Sequence, residues 1–280
     1  MSSKIYFAPA WGISAYDLAK LYEKLLDPLQ KDITIVYSLE ECDYVVVQDS
    51  TDQQIPAEAK VIFFQREPEH VKRYNYTKDN LYKKWCHSDG EGWMPQTWWL
   101  SLDYSDLVSL NYPKKSHRIS FVDSGRAELS GHINRLNALQ DIINKIPDIH
   151  AYGRITQNRE NEGIFKTSLP FREKEKAFLD YKYAVTIENG QTPYYFSEKI
   201  VDPMLCWTTP IYWGCSNIDK YFPKGSYIQI KELKAGIGEE VASIIQSDFH
   251  EQNKEALAEA RDLILNKYNL IPTIKKALHE

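Results

Sequence analysis

The chain has 280 residues and a net charge of −5; 43% of its residues are hydrophobic and 26% are charged. This composition is typical of a soluble globular protein with one large domain or two modest ones. The sequence contains no block of Lys and Arg, which argues against a general nucleic-acid binder, and no apolar run near the ~20 residues that span a bilayer.

The first third of the chain alternates short apolar runs with one amphipathic segment. The predicted strands cover residues 4–8, 33–37, 43–48 and 59–64. A helix is predicted from Ser14, a suitable N-cap, to Leu26, because leucines recur on one face. This βαβ order predicts a parallel sheet. Residues 74–113 are less regular and rich in Trp, Tyr, Asp and Pro.

The alternation of strands and helices restarts near residue 114. The predicted strands cover residues 118–122, 149–153, 184–187, 209–214 and 226–230. The predicted helices cover residues 131–145, 173–181, 237–248 and 251–268, with others opening near Phe196 and after Pro272.

The restart predicts an α/β protein of two Rossmann-like domains whose parallel sheets face across a cleft. We expect an N-terminal domain over residues 1–113 and a C-terminal domain over residues 114–262. The C-terminal helices in residues 263–280 could cross back to the first domain.

The polar segment after the strand at residues 184–187 is a candidate nucleotide site. This strand ends in Glu188-Asn189-Gly190, and Ser197 lies in the first turn of the next helix. Open α/β sheets bind nucleotides at the carboxyl ends of parallel strands, and the free N–H groups of a helix N-terminus suit a diphosphate. Glu188, Asn189 and Ser197 are therefore candidate donor-binding residues.

Charged and aromatic residues near this helix start could contact the nucleotide directly. Lys199 can neutralise a diphosphate and Glu198 can accept hydrogen bonds from ribose hydroxyls, although surface charges at a helix start are the plain alternative. Tyr194 and Tyr195 precede the helix, where one could stack on a base or touch a phosphate. Arg135, on the helix at residues 131–145, is either a diphosphate clamp or a solvated helix charge.

A catalytic base is predicted at the end of the fourth strand. Glu67 follows this strand and could take a proton from an attacking hydroxyl or could cap a helix, and Glu69 is a rival base. His87 is a weaker candidate on the acceptor side. Trp93 and Trp98 belong to an aromatic-rich stretch that is either a platform for an acceptor sugar or a packed loop.

The sequence has no common metal or cofactor motif. Its four cysteines form no CxxC pair, and no Walker A, GxGxxG, HExxH or GxSxG sequence occurs. Residues 103–106 do not have the DxD spacing by which many single-domain transferases hold a divalent metal. We therefore expect no metal and no cofactor, and a leaving diphosphate that is stabilised by Arg, Lys and a helix end.

Residues 181–222 closely resemble the donor-binding motif of the α1,3/4-fucosyltransferase family, glycosyltransferase family 10. The matching blocks are Tyr181-Lys-Tyr183, Ile187-Glu-Asn189, Tyr195-Phe-Ser-Glu-Lys199 and Pro210-Ile-Tyr-Trp-Gly214. Gly190 departs from the motif, which has Ser or Thr there. A looser similarity connects the same motif to exostosin-like transferases, which use UDP-sugars.

The resemblance implies a GT-B fold and an inverting transfer from a nucleotide sugar, with GDP-fucose favoured and a UDP-sugar such as UDP-xylose as the alternative. It implies that Glu67 is the base and that Asn189 supports the donor elbow, the polar segment of residues 188–190 after the strand. It also implies that the donor is bound by Arg135, Tyr195, Glu198 and Lys199. The acceptor would be an oligosaccharide or a glycoprotein glycan.

Two other functions compete with this interpretation. A nucleotide-sugar or glycan binding module without catalysis would keep the same motif, whereas a Rossmann-type oxidoreductase or epimerase is disfavoured by the missing glycine-rich fingerprint. The N-terminus has no apolar segment typical of a signal peptide, so we expect a cytoplasmic protein of bacterial or viral type, without a membrane span.

Overall fold

The structure, a computed structural model, describes residues 2–67, 81–86, 93–123, 130–153, 165–167, 169 and 173–279. The chain forms two compact units. Unit 1 comprises Met1–Thr97, Leu102–Val108 and Leu265–Glu280, and unit 2 comprises Trp98–Ser101 and Ser109–Ile264. Part of the expected N-terminal domain, residues 98–101 and 109–113, therefore belongs to unit 2.

Unit 1 contains a five-stranded parallel sheet with the strand order β2-β1-β3-β4-β5. Its strands are β1 (Ser3–Phe7), β2 (Ile33–Val36), β3 (Tyr44–Gln48), β4 (Val61–Gln65) and β5 (Lys83–Cys86). Every residue of β4 is buried, as expected for a parallel strand that is covered on both faces.

Unit 2 contains a six-stranded parallel sheet with the strand order β11-β10-β9-β6-β7-β8. Its strands are β6 (His117–Asp123), β7 (His150–Gly153), β8 (Phe165–Thr167), β9 (Tyr181–Ile187), β10 (Thr209–Trp213) and β11 (Ile228–Gln229). The core below this sheet contains Ile119, Phe121, Ile142, Val185 and Ile211. The predicted α/β class with two parallel sheets is confirmed.

The helices lie between the strands and at the end of the chain. They are α1 (Ala15–Glu23), α2 (Tyr104–Ser109), α3 (Ser130–Lys145), α4 (Glu198–Leu205), α5 (Ile237–Ile244), α6 (Phe249–Gln252), α7 (Lys254–Leu263) and α8 (Leu270–His279). Short 3₁₀ segments cover Leu39–Glu41, Lys174–Ala177 and Ile218–Lys220, and Ile264–Tyr268 is a π turn.

Some predicted helix bounds are wrong. Helix α1 ends at Glu23 instead of Leu26, because the N–H groups of Leu25 and Leu26 bond only three residues back and tighten the chain into turns. The predicted helix at residues 173–181 is a single 3₁₀ turn, Lys174–Ala177. The predicted helix at residues 251–268 is divided among α6, α7 and the π turn.

The strand order brings particular chain segments together at the carboxyl edge of each sheet. In unit 2, β9 lies between β6 and β10, so the residues after Ile187 lie near Asp123 and Trp213. In unit 1, β3 lies between β1 and β4, so the residues after Phe7, Gln48 and Gln65 share one edge. Both edges carry predicted site residues.

Candidate active site

Glu188 connects the end of strand β9 to the start of helix α4. Its side chain is completely buried. Its Oε1 atom accepts the Ser197 N–H (2.8 Å), and the Ser197 hydroxyl donates to Oε2 (2.7 Å). Ser197 is the N-cap of α4 and also accepts the Lys199 N–H (3.4 Å). Glu188 therefore orients the helix start, and any contact with a donor would be indirect.

The lysine on the first turn of α4 is held between two carboxylates. Lys199 Nζ lies 3.3 Å from Glu188 Oε2 and 3.4 Å from Glu198 Oε1. Burial lowers the pKa of Lys199, but the two carboxylates outweigh burial and raise this pKa above its usual value. The Lys199 side chain is 22% exposed, so this charged lysine is held in place and is partly accessible.

A second lysine reaches the same helix from the 3₁₀ segment before β9. Lys174 Nζ lies 3.8 Å from Glu198 Oε1 and 3.2 Å from Asp202 Oδ2. Burial raises the pKa of Glu198, but Lys199 and Lys174 outweigh it and lower this pKa to about 2. Burial raises the pKa of Asp202 to about 6, and its Oδ1 atom also accepts the Trp99 N–H (3.1 Å).

The sequence predicted unbonded N–H groups at this helix start, but two of these groups already have side-chain acceptors. The Ser197 N–H and the Lys199 N–H are already donated to side-chain oxygens. The Glu198 carboxylate accepts its own backbone N–H. A diphosphate would therefore meet the ammonium groups and the positive end of the helix dipole before it met an unbonded amide.

Arg135 lies on α3 and contacts the elbow after β9. Its Nε atom pairs with Asp123 Oδ2, and its Nη1 atom donates to Asn189 Oδ1 (3.2 Å). The side chains of Arg135 and Asp123 are only 5% and 0% exposed. The charge of Arg135 is near enough to Lys199 to oppose, by a smaller amount, the raised pKa of that lysine. The structure therefore brings Arg135 and Lys199 to the same elbow.

A glycine permits this close approach of α3 to the elbow. A Cβ atom on Gly131 would lie 1.9 Å from the backbone oxygen of Asn189. No side chain fits into that space, so the first turn of α3 can contact the elbow only where residue 131 is glycine.

The two candidate tyrosines differ in exposure. Tyr194 is partly exposed, has a left-handed φ of 68°, and donates its N–H to Asn217 Oδ1 (2.8 Å). Tyr195 is 4% exposed. Tyr194 is thus the tyrosine whose ring can reach a nucleotide base, whereas Tyr195 packs inside unit 2.

In unit 1, a buried aspartate fixes the backbone that carries Glu67. Asp49 is completely buried, and its Oδ1 atom accepts the N–H groups of Arg66 (2.6 Å) and Glu67 (3.1 Å). Burial raises the pKa of Asp49 to about 6. The Arg66 guanidinium donates to Gln48 Oε1 (2.8 Å) and to Thr97 Oγ1 (3.0 Å). The predicted base therefore follows a rigid strand end.

The interpretation of Trp93 and Trp98 as a sugar platform is wrong, because both side chains are packed inside the protein. Trp98 is 0% exposed and Trp93 is 8% exposed. The Trp93 indole donates to Thr273 Oγ1 (3.0 Å) and contacts the edge of Trp85. Glu69 and His87, the other acceptor-side candidates, lie outside the described residues.

Sequence reasoning assigned no role to several residues of these sites. Asp49 and Asp123 each lie at a strand end, which is a signal that the sequence contains. Lys174 and Asp202 meet only through tertiary folding, and no local pattern indicates that contact. Within the described residues, no group of three or more His, Cys, Asp or Glu could hold a metal ion.

Comparison with solved structures identifies the fold. An α1,3-fucosyltransferase with GDP-fucose matches with a TM-score of 0.50 and 18% identity, covering 96% of this chain and 92% of that one. A glycosyltransferase from Rickettsia africae matches with a TM-score of 0.56 and 12% identity, covering 99% and 97%. A DNA-modifying β-glucosyltransferase matches with a TM-score of 0.54 and 11% identity, covering all of both chains. The fold is that of the GT-B glycosyltransferases.

Sequence comparisons find similarity to one family. Residues 112–248 match the family described as "Glycosyltransferase family 10 (fucosyltransferase) C-term". The α-(1,3)-fucosyltransferase FucT of Helicobacter pylori is 31% identical over 100 residues, which is 35% of this chain and 19% of the relative. The α-(1,3)-fucosyltransferase B of Drosophila melanogaster is 27% identical over 150 residues, 52% of this chain and 29% of the relative.

The resemblance predicted from residues 181–222 is confirmed: residues 112–248 match the model of glycosyltransferase family 10, and the curated relatives that match are fucosyltransferases. The matched segments span less than a third of these curated relatives. None of the described helices is both long enough and apolar enough to cross a membrane.

Proposed function

We propose that the chain transfers fucose from GDP-fucose to a hydroxyl group of an oligosaccharide or glycoprotein glycan, with inversion at the anomeric carbon. The observation that carries the proposal is Lys199, a charged and accessible lysine held by Glu188 and Glu198 at a helix start within the family-10 segment. A preorganised cation at this position stabilises the charge that develops on a leaving diphosphate.

The donor would lie against the elbow after β9. Lys199 and Lys174 supply positive charge to the diphosphate, and Glu198 accepts hydrogen bonds from the ribose. Tyr194 offers its ring to the base. The shape of this surface is maintained by Glu188, Ser197 and the buried contact between Arg135 and Asn189. Tyr195 is buried and only packs inside unit 2.

The reaction is a single displacement. The acceptor oxygen attacks the anomeric carbon from the side opposite the diphosphate, and its proton passes to the carboxylate of Glu67. The new carbon–oxygen bond forms as the bond to the β-phosphate breaks, and the nucleoside diphosphate leaves with the electron pair. Attack from the opposite side inverts the configuration. The residues named here perform these steps without a metal or other cofactor.

The experiment that tests this function separates donor binding from transfer. GDP-fucose at 100 times its Kd should stabilise the protein by about 2.7 kcal/mol, more than GDP-mannose, UDP-xylose or UDP-glucose at the same concentration. Preferential binding of UDP-xylose would support the alternative donor. Donor binding without transfer to any glycan on an array would instead indicate a binding module. NMR of the product gives the anomeric configuration.

Glu67→Gln tests the base. We expect unchanged GDP-fucose affinity by calorimetry and a loss of transfer of at least ~10²-fold, the lower end of general-base contributions. Glu58→Gln, an exposed glutamate of the same unit, is the matched control and should behave as wild type. Normal transfer by Glu67→Gln would show that another group accepts the proton.

A further inference from the structure

An exposed tryptophan follows the first strand of unit 1. Trp11 is 39% exposed, although large aromatic side chains are usually buried. It occupies a two-residue turn between Ala10 and Ile13, whose backbones pair with each other (Ile13 N–H to Ala10 O, 2.9 Å). The turn is therefore a fixed structure, and the ring is presented from a defined position.

The backbone of Trp11 is strained. Its φ is 55° and that of the next residue, Gly12, is 75°. Positive φ at both central residues is the pattern of a type I′ turn, in which Asn-Gly and Gly-Gly are favoured and a bulky side chain is disfavoured. Backbone strain of this kind is concentrated at binding and catalytic sites. Folding alone would be better served by glycine at position 11.

The turn lies at the same sheet edge as Glu67. Strand β1 leads into the turn, β4 leads into Glu67, and β3 lies between them in a parallel sheet. The guanidinium carbon of Arg66 lies 5.5 Å from the centre of the Trp11 ring, a cation–π contact. Arg66 is adjacent to Glu67, and Asp49 fixes the backbone of both. The ring therefore contacts the residue that precedes the predicted base.

We propose that Trp11 is the acceptor platform, on which the C–H face of a pyranose ring packs so that one hydroxyl points toward Glu67. This inference rests on the proposed function, because it assigns the sugar-binding side of the same reaction. It gives unit 1 the accessible aromatic surface that the buried Trp93 and Trp98 do not offer. The ligand class is a neutral hexopyranose of a glycan.

The test compares Trp11→Gly and Trp11→Tyr with wild type. An array of immobilised glycans and labelled GDP-fucose first identifies an acceptor of the wild-type enzyme. With this acceptor, Trp11→Gly should raise KM about tenfold, equivalent to about 1.4 kcal/mol, while the GDP-fucose Kd and the rate of donor hydrolysis by water stay within twofold. Trp11→Tyr keeps a ring and should restore most of the affinity.

The melting temperature distinguishes a binding role from a folding role. Glycine relieves the left-handed strain, and this relief offsets the stability lost with the contact between the ring and Arg66, so the melting temperature of Trp11→Gly should stay close to that of wild type. Tyr82→Ala is the matched control for the acceptor KM. Tyr82 is 44% exposed and precedes β5, at the amino edge of the same sheet, so loss of this ring should leave the acceptor KM unchanged.

An unchanged acceptor KM in Trp11→Gly, or a loss of GDP-fucose binding together with a lower melting temperature, would overturn the platform assignment while leaving the proposed function intact. If the wild-type protein neither binds GDP-fucose nor transfers from it, the proposed function itself fails, and the platform assignment with it.

Discussion

Gly131→Ala is the smallest change that should damage donor binding from a distance. The added Cβ atom would lie 1.9 Å from the backbone oxygen of Asn189, whereas ordinary contact begins at 3.4 Å. The first turn of α3 must therefore move away from the elbow by about 3.4 − 1.9 = 1.5 Å. Arg135 lies one turn further along the same face and moves with it.

The substitution Gly131→Ala has two opposing effects on the stability of the protein and one effect on its GDP-fucose Kd. Overpacking costs about 1–3 kcal/mol, and alanine in a helix recovers about 1 kcal/mol relative to glycine. A shift of about 1.5 Å lengthens the 3.2 Å bond between Arg135 and Asn189 beyond hydrogen-bond range. Misplacements of about 1 Å can cost ~10²-fold in rate. We expect the GDP-fucose Kd to rise at least tenfold.

Isothermal calorimetry measures the donor Kd, and urea unfolding measures stability. The matched control is Gly238→Ala on α5. A Cβ atom there would lie 2.4 Å from the backbone oxygen of Asp141, so this variant should lose similar stability by pushing on the other end of α3. It should retain the wild-type Kd. Equal affinities of the two variants for GDP-fucose would refute the argument that the elbow transmits the position of α3 to the donor.

Three further outcomes can be measured. Lys199→Ala should lower kcat/KM about 10²-fold, whereas Lys145→Ala, which removes an exposed lysine paired with Glu239, should have no effect; near-normal kinetics for the first variant would contradict the donor site. EDTA treatment should leave most of the transfer activity, and complete loss restored only by Mn²⁺ would contradict a metal-free reaction. Burial lowers the pKa of His250 to about 4, so between pH 6.5 and 4 the unfolded chain takes up this proton first, and the contribution of His250 to the free energy of unfolding should fall by about 3 kcal/mol over that range. Asp49 and Asp202, whose pKa values burial raises to about 6, act in the opposite direction in both proteins, so the measurement is the difference between the urea-unfolding pH profiles of wild type and His250→Gln.

The sequence predicted the parts of the fold that depend on local patterns. The apolar run of β4 is buried along its whole length, as an uninterrupted apolar strand of a parallel sheet should be. Ser14 caps α1 as predicted, because a hydroxyl at the helix start accepts an N–H from the first turn. Ser197, predicted within the first turn of a helix that opens near Phe196, is instead the N-cap of α4. The donor motif was recognisable because its polar residues follow a strand at fixed spacings.

The contacts within the site could not be predicted from the same patterns. Asp123 pairs with Arg135 because β6 lies beside β9, and strand order is a property of the whole sheet. The aromatic stretch that contains Trp98 gave no indication of which rings are buried, since tryptophan is common in cores and in sugar sites. The strain at Trp11 is visible only in backbone angles.

The carboxylate partners of Arg135 and Lys199 indicate different roles for these two cations in the predicted donor site. Asp123 is completely buried, so a donor that drew Arg135 away would leave a buried carboxylate without its partner, at a cost of about 3–5 kcal/mol. Glu188, the partner of Lys199, is also completely buried, but it keeps hydrogen bonds from the N–H and the hydroxyl of Ser197 when the lysine moves. The Lys199 side chain is 22% exposed, so it can turn toward a diphosphate at less cost. We therefore expect Arg135 to act through Asn189 on the shape of the elbow, and Lys199 to meet the leaving group.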